Sequence, residues 1–198
     1  QAILLLIPFA TPFIAAIAAS FLPTKARNAA ASLSSLAALI GVFSLIWLYP
    51  TVASGEVVRF SAEWLPSLDV AFRLRLDGFA WLFALIVQAI GLLVVIYARY
   101  YMSPEDPVPR FFSFLMAFMG AMTGVVLAGD MIQLVLFWEL TSFFSFLLIG
   151  YWNHSESAQN GAKMALTVTA LGGLSLLAGV VVLGRIVGSF DMDVVLAS

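Results

Sequence analysis

Six long apolar runs dominate this sequence and restrict the folds open to it. They occupy residues 2–22, 29–49, 78–98, 111–128, 131–151 and 160–187. Each is at least about 18 residues long and nearly free of charge, which is the length an α-helix needs to cross a hydrocarbon core of about 30 Å. Because only helices and closed barrels satisfy their backbone hydrogen bonds in lipid, these runs predict an all-α integral membrane protein with about six transmembrane helices.

The composition supports this class and excludes several others. Hydrophobic residues make up 63% of the chain and charged residues 10%, and the mean hydropathy is +1.06. We therefore predict a multi-pass protein of the cell membrane, of the bacterial inner membrane in particular, surrounded by the lipid bilayer. The net charge of −2 and the scattered basic residues argue against nucleic-acid binding.

Cofactor binding is not indicated by the residue types present. The chain has no cysteine, which excludes disulfides, thiolate nucleophiles and cysteine metal sites within it. His154 is its single histidine, so a bis-histidine haem or a histidine-based metal cluster is not expected. No cofactor is predicted.

One stretch, residues 51–76, departs from the apolar pattern. Apolar side chains alternate with polar ones there, at Val58, Phe60, Ala62 and Trp64 and again at Val70, Phe72, Leu74 and Leu76. A period of two is typical of strands, and residues 65–69 supply turn chemistry. We predict a short extracytoplasmic β-hairpin on the membrane surface between helices two and three, followed by Asp77 as the cap of the third helix.

The arginines of this hairpin leave two interpretations open. Arg59, Arg73 and Arg75 are expected to be surface or docking residues, and the alternative is a role in an ion funnel. Basic residues otherwise concentrate in the short loops of the opposite side, at Lys25, Arg27, Arg99, Arg110 and Lys163. The positive-inside rule then places the N-terminus and the hairpin outside.

Two helices carry polar or helix-breaking residues that need partners. Pro8 and Pro12 lie inside the first run, where proline is tolerated only if neighbouring groups satisfy the carbonyl that it frees, so a bend is expected there. Gln88 is the one strongly polar residue inside the third run.

Residues 129 and 130 form a very short connection, so the fourth and fifth helices must be antiparallel neighbours.

The fifth run contains the strongest functional candidate, Glu139. It is the only acidic or basic side chain between residues 131 and 151 and lies about 12 Å from the helix start. A charge at this depth costs at least about 2.5 kcal/mol, so it is usually paired and marks an ion or proton path. Ser142 and Ser145 extend the same polar stripe. The alternative is a neutral carboxyl that only joins helices by hydrogen bonds.

Further polar residues surround this candidate in the sequence. Oxygen ligands for Na⁺ could come from Glu139, Asp130, Thr141, Ser142 and Ser145, although no spacing establishes a metal site. Lys163 lies about one turn inside the sixth run, with Thr167 just deeper. The lysine either extends to the membrane interface or couples to the carboxylate of the neighbouring helix.

Three stretches together resemble a known family. They are RLDGFAWLFALIVQAIGLLVVIYARYYM from Arg75, LFWELTSFFSFLLIGYWNH from Leu136 and GAKMALTVTALGGLSLLAG from Gly161. They are similar to the antiporter-like subunits shared by respiratory complex I, membrane-bound hydrogenases and Mrp-type multisubunit Na⁺/H⁺ antiporters, and look closest to the A-type subunit of the Mrp antiporter. The chain begins with Gln1 rather than methionine and stops at Ser198 just as a short apolar stretch begins, so we expect an N-terminal fragment of a longer subunit.

The resemblance implies a function and roles for particular residues. It implies a monovalent cation/proton antiporter subunit, not an enzyme, working with other membrane subunits on protons and Na⁺. Glu139 matches the family's relay glutamate, and Lys163 matches a basic residue near it. Residues 1–54 would hold two helices, 55–76 the hairpin and 77–198 the front part of an ion-translocation domain. The alternatives are a proton-pumping subunit of complex I or a hydrogenase, and a non-transporting scaffold.

Overall fold

The computed structural model describes residues 2–65, 70–103, 105–152 and 154–198, and it contains the predicted helices and hairpin. A 3-10 turn, Ala2–Leu5, leads into the first helix. The helices are α1 (Leu6–Ser20), α2 (Arg27–Ala53), α3 (Gly78–Tyr101), α4 (Val108–Leu127), α5 (Met131–Ile149), α6 (Glu156–Val187) and α7 (Met192–Ala197); the strands are β1 (Val58–Leu65) and β2 (Val70–Leu76). The predicted hairpin turn lies, after Leu65, outside the described residues.

Six helical segments are long and apolar enough to cross a membrane. The fold class, a multi-pass α-helical membrane protein with a two-stranded hairpin between α2 and α3, is therefore confirmed. Several helices extend beyond the predicted apolar runs: α2 continues through Pro50 to Ala53, and α6 begins at Glu156. Hydropathy marks only the part of a helix that lies in lipid, whereas the polar ends continue until a cap stops them.

Side-chain caps begin four of the described helices: α3, α5, α6 and also α7, where Asp191 accepts from the amide of Asp193. Asp77 accepts a hydrogen bond of 2.8 Å from the amide of Ala80 and so begins α3, as the sequence predicted. Asp130 does the same for α5, and Ser155 caps α6 through the amide of Ala158. α6 ends at Gly188, whose φ of +79° is the left-handed conformation that glycine adopts without strain.

The helices pack mainly with their neighbours in sequence. α1 lies against both α2 and α4, α2 against α3, and α4 against α5, which in turn packs on α6. The adjacency of α4 and α5 confirms what the short connection predicted. One apolar core packs residues of α1, α2, α3 and α4 around Phe112 and Met116. A second core packs the hairpin against α2 and α3 around Leu45 and Leu76.

A buried amide satisfies the carbonyl that proline frees in α1. Pro12 has no N–H, so the carbonyl oxygen of Pro8 lacks its partner within the helix. The side-chain amide of Gln88 on α3 donates to this oxygen at 2.8 Å and also donates to the Thr123 hydroxyl on α4 at 3.2 Å. Gly41 on α2 lies so close that an added Cβ would be 2.8 Å from the Gln88 Cδ. Four helices therefore meet at Gln88, which is fully buried.

The hairpin lies across one end of the bundle. Its strands are antiparallel, with Val58 opposite Leu76 and an irregularity in register between Glu63 and Leu65. The backbone oxygen of Arg73 accepts from the amide of Gly129 at 2.9 Å, and the oxygen of Gly129 accepts from the amide of Met192. The turn between α4 and α5 thus lies between β2 and the segment that follows α6.

Candidate functional site

Glu139 lies at the contact between α5 and α6. Its side chain is half-buried, and its Oε1 atom is fully buried with no hydrogen-bond partner among the described residues. The oxygen lies against Gly173 of α6, where an added Cβ would be 2.7 Å from the Glu139 Cδ and would overlap with Oε1. A buried carboxyl oxygen without a partner is costly, so the site has an unmet capacity to bind a proton, a cation or a donor group.

The same carboxylate lines an open, apolar groove of about 810 Å³. The hairpin forms one wall through Ala62, Glu63 and Phe72. α5 forms the other through its exposed face, which includes Leu136, Leu140 and Phe143. Apolar walls exclude water and strengthen electrostatic interactions with a carboxylate placed among them.

The hydroxyl groups predicted beside Glu139 are bonded to the helix itself. Thr141 donates to the carbonyl oxygen of Trp138 at 2.7 Å, and Ser142 donates to the same oxygen at 3.3 Å. Ser142 is buried, whereas Ser145 is half-buried. Ser142 and Ser145 therefore lie on buried and half-buried positions of α5. The hydroxyl protons of Thr141 and Ser142, however, are donated to the backbone and not to Glu139.

The structure does not bring Lys163 and Glu139 together. Lys163 is exposed and lies one residue after Ala162, whose Cβ is near Gly150 at the far end of α5. Gly173, which contacts Glu139, is ten residues further along α6, and this corresponds to about 15 Å. Thr167 lies between Lys163 and Gly173 along α6. Its side chain is exposed and donates to the carbonyl oxygen of Lys163 at 2.9 Å.

Asp130 belongs to a different environment from Glu139. It lies nine residues earlier, about 13 Å along the axis, at the N-terminus of α5. One oxygen accepts from the amides of Ile132 and Gln133, and the other pairs with the Arg73 guanidinium at 3.3 Å. Burial raises the pKa of Asp130 in spite of these hydrogen bonds. The residue thus joins helix α5 to the hairpin.

The hairpin arginines form ion pairs with aspartates on neighbouring elements. Arg59 and Arg75 both donate to Asp193 on α7, at 2.5 and 2.8 Å, and Arg75 also pairs with Asp77. The hydrogen bond from Arg59 is the main cause that lowers the pKa of Asp193, to about 2. Docking, the first interpretation of these arginines, agrees with these contacts.

Metal binding by clustered ligands is not indicated in the described ranges. They contain no group of three or more histidine, cysteine, aspartate or glutamate side chains that could hold an ion. Several residues that shape the site were not predicted: Gly173, which contacts the carboxylate, Gln133, which binds the backbone of Arg73, and Asp193. The adjacent glycines at positions 172 and 173 are the local sequence signal for the first of these.

Two protein-family models match the chain. NADH-Ubiquinone oxidoreductase (complex I), chain 5 N-terminus, matches residues 64–112, and NADH:quinone oxidoreductase/Mrp antiporter, TM, matches residues 128–197. The second range includes Glu139, Lys163 and Gly173. The chain belongs to this family of antiporter-like membrane subunits, as the resemblance of its motifs predicted.

The chain is similar to subunits named A or A/B of cation/proton antiporters. A probable K⁺/H⁺ antiporter A/B subunit of Rhizobium meliloti (strain 1021) is 52% identical over 94% of this chain and 19% of its own length. The Na⁺/H⁺ antiporter A1 subunit of Staphylococcus aureus is 43% identical over 75% of this chain and 19% of its own length. The chain therefore spans about a fifth of these curated relatives.

A solved structure has the same fold. A chain in the structure of the Mrp complex from Dietzia sp. DQ12-45-1b matches with a TM-score of 0.83 and 28% sequence identity, covering 98% of this chain and 21% of that chain. The arrangement of the described helices and the hairpin is thus that of an antiporter-like membrane subunit.

Proposed function

We propose that this chain forms part of a membrane subunit of a multisubunit monovalent cation/proton antiporter, in which Glu139 binds and releases the transported proton or cation. The observation that supports this most directly is the buried, unpartnered Oε1 of Glu139 at the wall of an apolar groove. The names of the similar proteins from Rhizobium meliloti and Staphylococcus aureus support the antiporter class.

The proposed mechanism is electrostatic. A proton or cation that reaches Glu139 neutralises the carboxylate, and so changes how strongly this side chain attracts a positive group nearby. The apolar walls of the groove would make that change large, because few water molecules screen it. The remaining members of the path, and the partner membrane subunits, would come from outside the described residues.

Lys163 is the proposed basic member of this relay within the chain. Because it lies about 15 Å along α6 from Gly173, a direct ion pair with Glu139 would require a large rearrangement. The proposal is therefore that protons pass between Lys163 and Glu139 through hydroxyl groups and water. Thr167, whose hydroxyl donates to the carbonyl oxygen of Lys163, would be one of these groups. Lys163→Gln should reduce proton flux, and Lys163→Arg, which keeps the charge, should retain more of it.

The test is cation-dependent proton flux in everted membrane vesicles. An antiporter-deficient bacterial strain would carry the complete complex with wild-type chain, Glu139→Gln or Glu105→Gln. Glu105 is an exposed loop residue, so its variant makes the same chemical change away from the site. A pH-sensitive dye would report the proton movement after addition of NaCl or KCl, with assembled complex measured in parallel.

We expect Glu139→Gln to lose most of the flux at equal assembly, and Glu105→Gln to keep it. Full flux in Glu139→Gln would reject the ion-binding role and favour the scaffold alternative, in which the side chain only joins helices. Loss in both variants would show that the change is not specific to Glu139.

A second candidate function is a proton-pumping subunit of the complex I kind. It is supported by the descriptions of the two matching family models, of which one names complex I and the other NADH:quinone oxidoreductase beside the Mrp antiporter. In that case neither NaCl nor KCl would start proton movement in vesicles with the wild-type complex, and flavin or iron-sulfur subunits would co-purify with the chain.

A further inference from the structure

Gly173 of α6 lies directly against the Glu139 side chain of α5 at the candidate site. A Cβ added to Gly173 would overlap with the Oε1 of Glu139 and would lie 2.7 Å from its Cδ and 3.4 Å from its Oε2. Oε1 and Cδ of the carboxyl group therefore occupy the space that a Cβ at position 173 would fill, whereas Oε2 lies beside it. Gly173 is itself buried.

The neighbouring glycine has no such contact. A Cβ added to Gly172 would meet nothing within 4 Å, and the same is true of Gly179 two turns later. Gly184, further along α6, would also clash, but with the Phe190 ring. Among the described glycines of α6, Gly173 is thus the one that lies against Glu139. Gly172 and Gly179 supply matched controls for any substitution at position 173.

Contacts on both sides of this point fix the register of the two helices. Towards one end of α5, Gly150 lies near Ala162, where an added Cβ would be 3.5 Å from the Ala162 Cβ. Towards the other end, Met131 and Val135 form an apolar cluster with Val180. Because α5 and α6 are held together above and below, the carboxyl group of Glu139 has to fit the space left between them.

We propose that Gly173 is a positioning residue for the Glu139 carboxylate. By leaving out a side chain, it lets Oε1 lie buried against the backbone of α6 while the rest of the carboxyl group lines the groove. This inference rests on the proposed function, in which Glu139 handles the transported ion. Gly173 touches no transported ion in this scheme and acts only through Glu139.

A methyl group at position 173 should move the carboxyl group before it moves the helices. The atoms that it would meet are the far end of a flexible glutamate side chain and not backbone. The Glu139 side chain can turn towards the open groove, whereas the helices are held by the packing around Gly150 and Val135. Gly173→Ala is therefore expected to assemble normally and to displace the carboxylate.

The first experiment compares flux in the complete complex for Gly173→Ala and Gly172→Ala. A misplacement of about 1 Å can cost up to about a hundredfold in rate, so we expect about a tenfold or greater loss in Gly173→Ala. Gly172→Ala should remain close to wild type, because its methyl group meets nothing within 4 Å. Equal flux in the two variants at equal assembly would overturn the proposal.

Rescue by a shorter acid separates positioning from simple helix packing. Asp at position 139 withdraws the carboxylate by one methylene, so Gly173→Ala should reduce flux by a smaller factor in the Glu139→Asp background than in the wild type. If the methyl group acted on helix packing alone, the factor would be the same in both backgrounds, and the proposal would be wrong.

Cysteine cross-linking tests the contact whatever flux the variants have. The chain has no cysteine of its own, and a disulfide needs Cα atoms within about 7 Å and side chains that face each other. The pair Glu139→Cys with Gly173→Cys should cross-link under mild oxidation, and Glu139→Cys with Gly172→Cys should not. The opposite pattern, or equal cross-linking, would reject the inference.

The two proposals fail in different ways. If Glu139→Gln keeps full flux, the ion-binding role of Glu139 is wrong whatever Gly173→Ala does. If Glu139→Gln loses flux while Gly173→Ala keeps it, the proposed function stands and only the positioning role of Gly173 is rejected.

Discussion

The side-chain amide of Gln88 on α3 donates a hydrogen bond to the carbonyl oxygen of Pro8 on α1, four residues before Pro12. That carbonyl is the one Pro12 leaves without a helical partner, because proline has no N–H. The contact shows how a helix break is tolerated in the bundle: the missing hydrogen bond within α1 is replaced by one from another helix.

Replacing Gln88 with leucine should destabilise the protein. The variant leaves the Pro8 oxygen buried without a donor, which is expected to cost about 1–2 kcal/mol, given the modest value of polar contacts between membrane helices. Thermal unfolding of the purified complex would measure the loss. Ile90→Leu, on an exposed position of the same helix, is the control that should leave stability unchanged.

Pro12→Ala should reduce the dependence on Gln88. Alanine restores an N–H four residues after the Pro8 carbonyl, so Gln88→Leu should cost less in the Pro12→Ala background than alone. Equal losses in the two backgrounds would mean that the two prolines and the amide are not coupled.

Local sequence signals predict helix starts and the buried glutamate of this architecture, but not its contacts between distant residues. Asp77 stands directly before an apolar run, and its predicted cap of α3 is confirmed by the hydrogen bond from the amide of Ala80. Asp130 stands in the same position before α5 and caps it in the same way, although this cap was not predicted from the sequence. Glu139 was identifiable because a single carboxylate in an apolar run is costly. The contacts of Gln88 with Pro8 and of Gly173 with Glu139 join residues 80 and 34 positions apart, and no local pattern encodes such pairs.

Asp130→Asn and Asp130→Ala should differ in stability. Asparagine can still accept from the amides of Ile132 and Gln133, whereas alanine loses the cap, which typically costs about 0.5–2 kcal/mol. The alanine variant should therefore unfold at the lower temperature of the two. Equal unfolding temperatures would show that the cap contributes little and that the Arg73 pair is the main role of Asp130.

The contribution of Asp130 to the free energy of unfolding should decrease as the pH rises. Burial raises its pKa above the ordinary value, so the folded state binds the proton more tightly than the unfolded chain does. Its contribution to stability is therefore greatest at low pH and is lost as the pH rises through the raised pKa. Asp130→Asn should abolish this component, which unfolding measured between about pH 4 and pH 7 in wild type and variant would reveal.

The Gln133 side chain should stabilise the contact between α5 and strand β2 of the hairpin. Its side-chain oxygen accepts from the amide of Arg73 at 2.9 Å and its side-chain nitrogen donates to the carbonyl oxygen of Arg73 at 2.8 Å. Gln133→Met removes both bonds with little change in volume, so amide exchange in β2 should accelerate. Gln159→Met, in the first turns of α6, changes the same residue type far from the hairpin and should leave exchange in β2 unaffected.

The ion pairs of Asp193 should persist into acid. The hydrogen bond from Arg59 lowers the pKa of Asp193 from 3.8 to about 2, so its contribution is fully present above the unfolded value and is lost only as the pH falls through about 2. Asp193→Asn should therefore loosen the contact of β1 with α7 by about 1 kcal/mol or less per exposed pair, and equally at about pH 7 and pH 5. Hydrogen exchange of the β1 amides at both pH values would measure this difference. A difference between variant and wild type that disappears by about pH 5 would contradict the lowered pKa of Asp193, because even an ordinary aspartate, with a pKa of about 3.9, is still ionised at that pH.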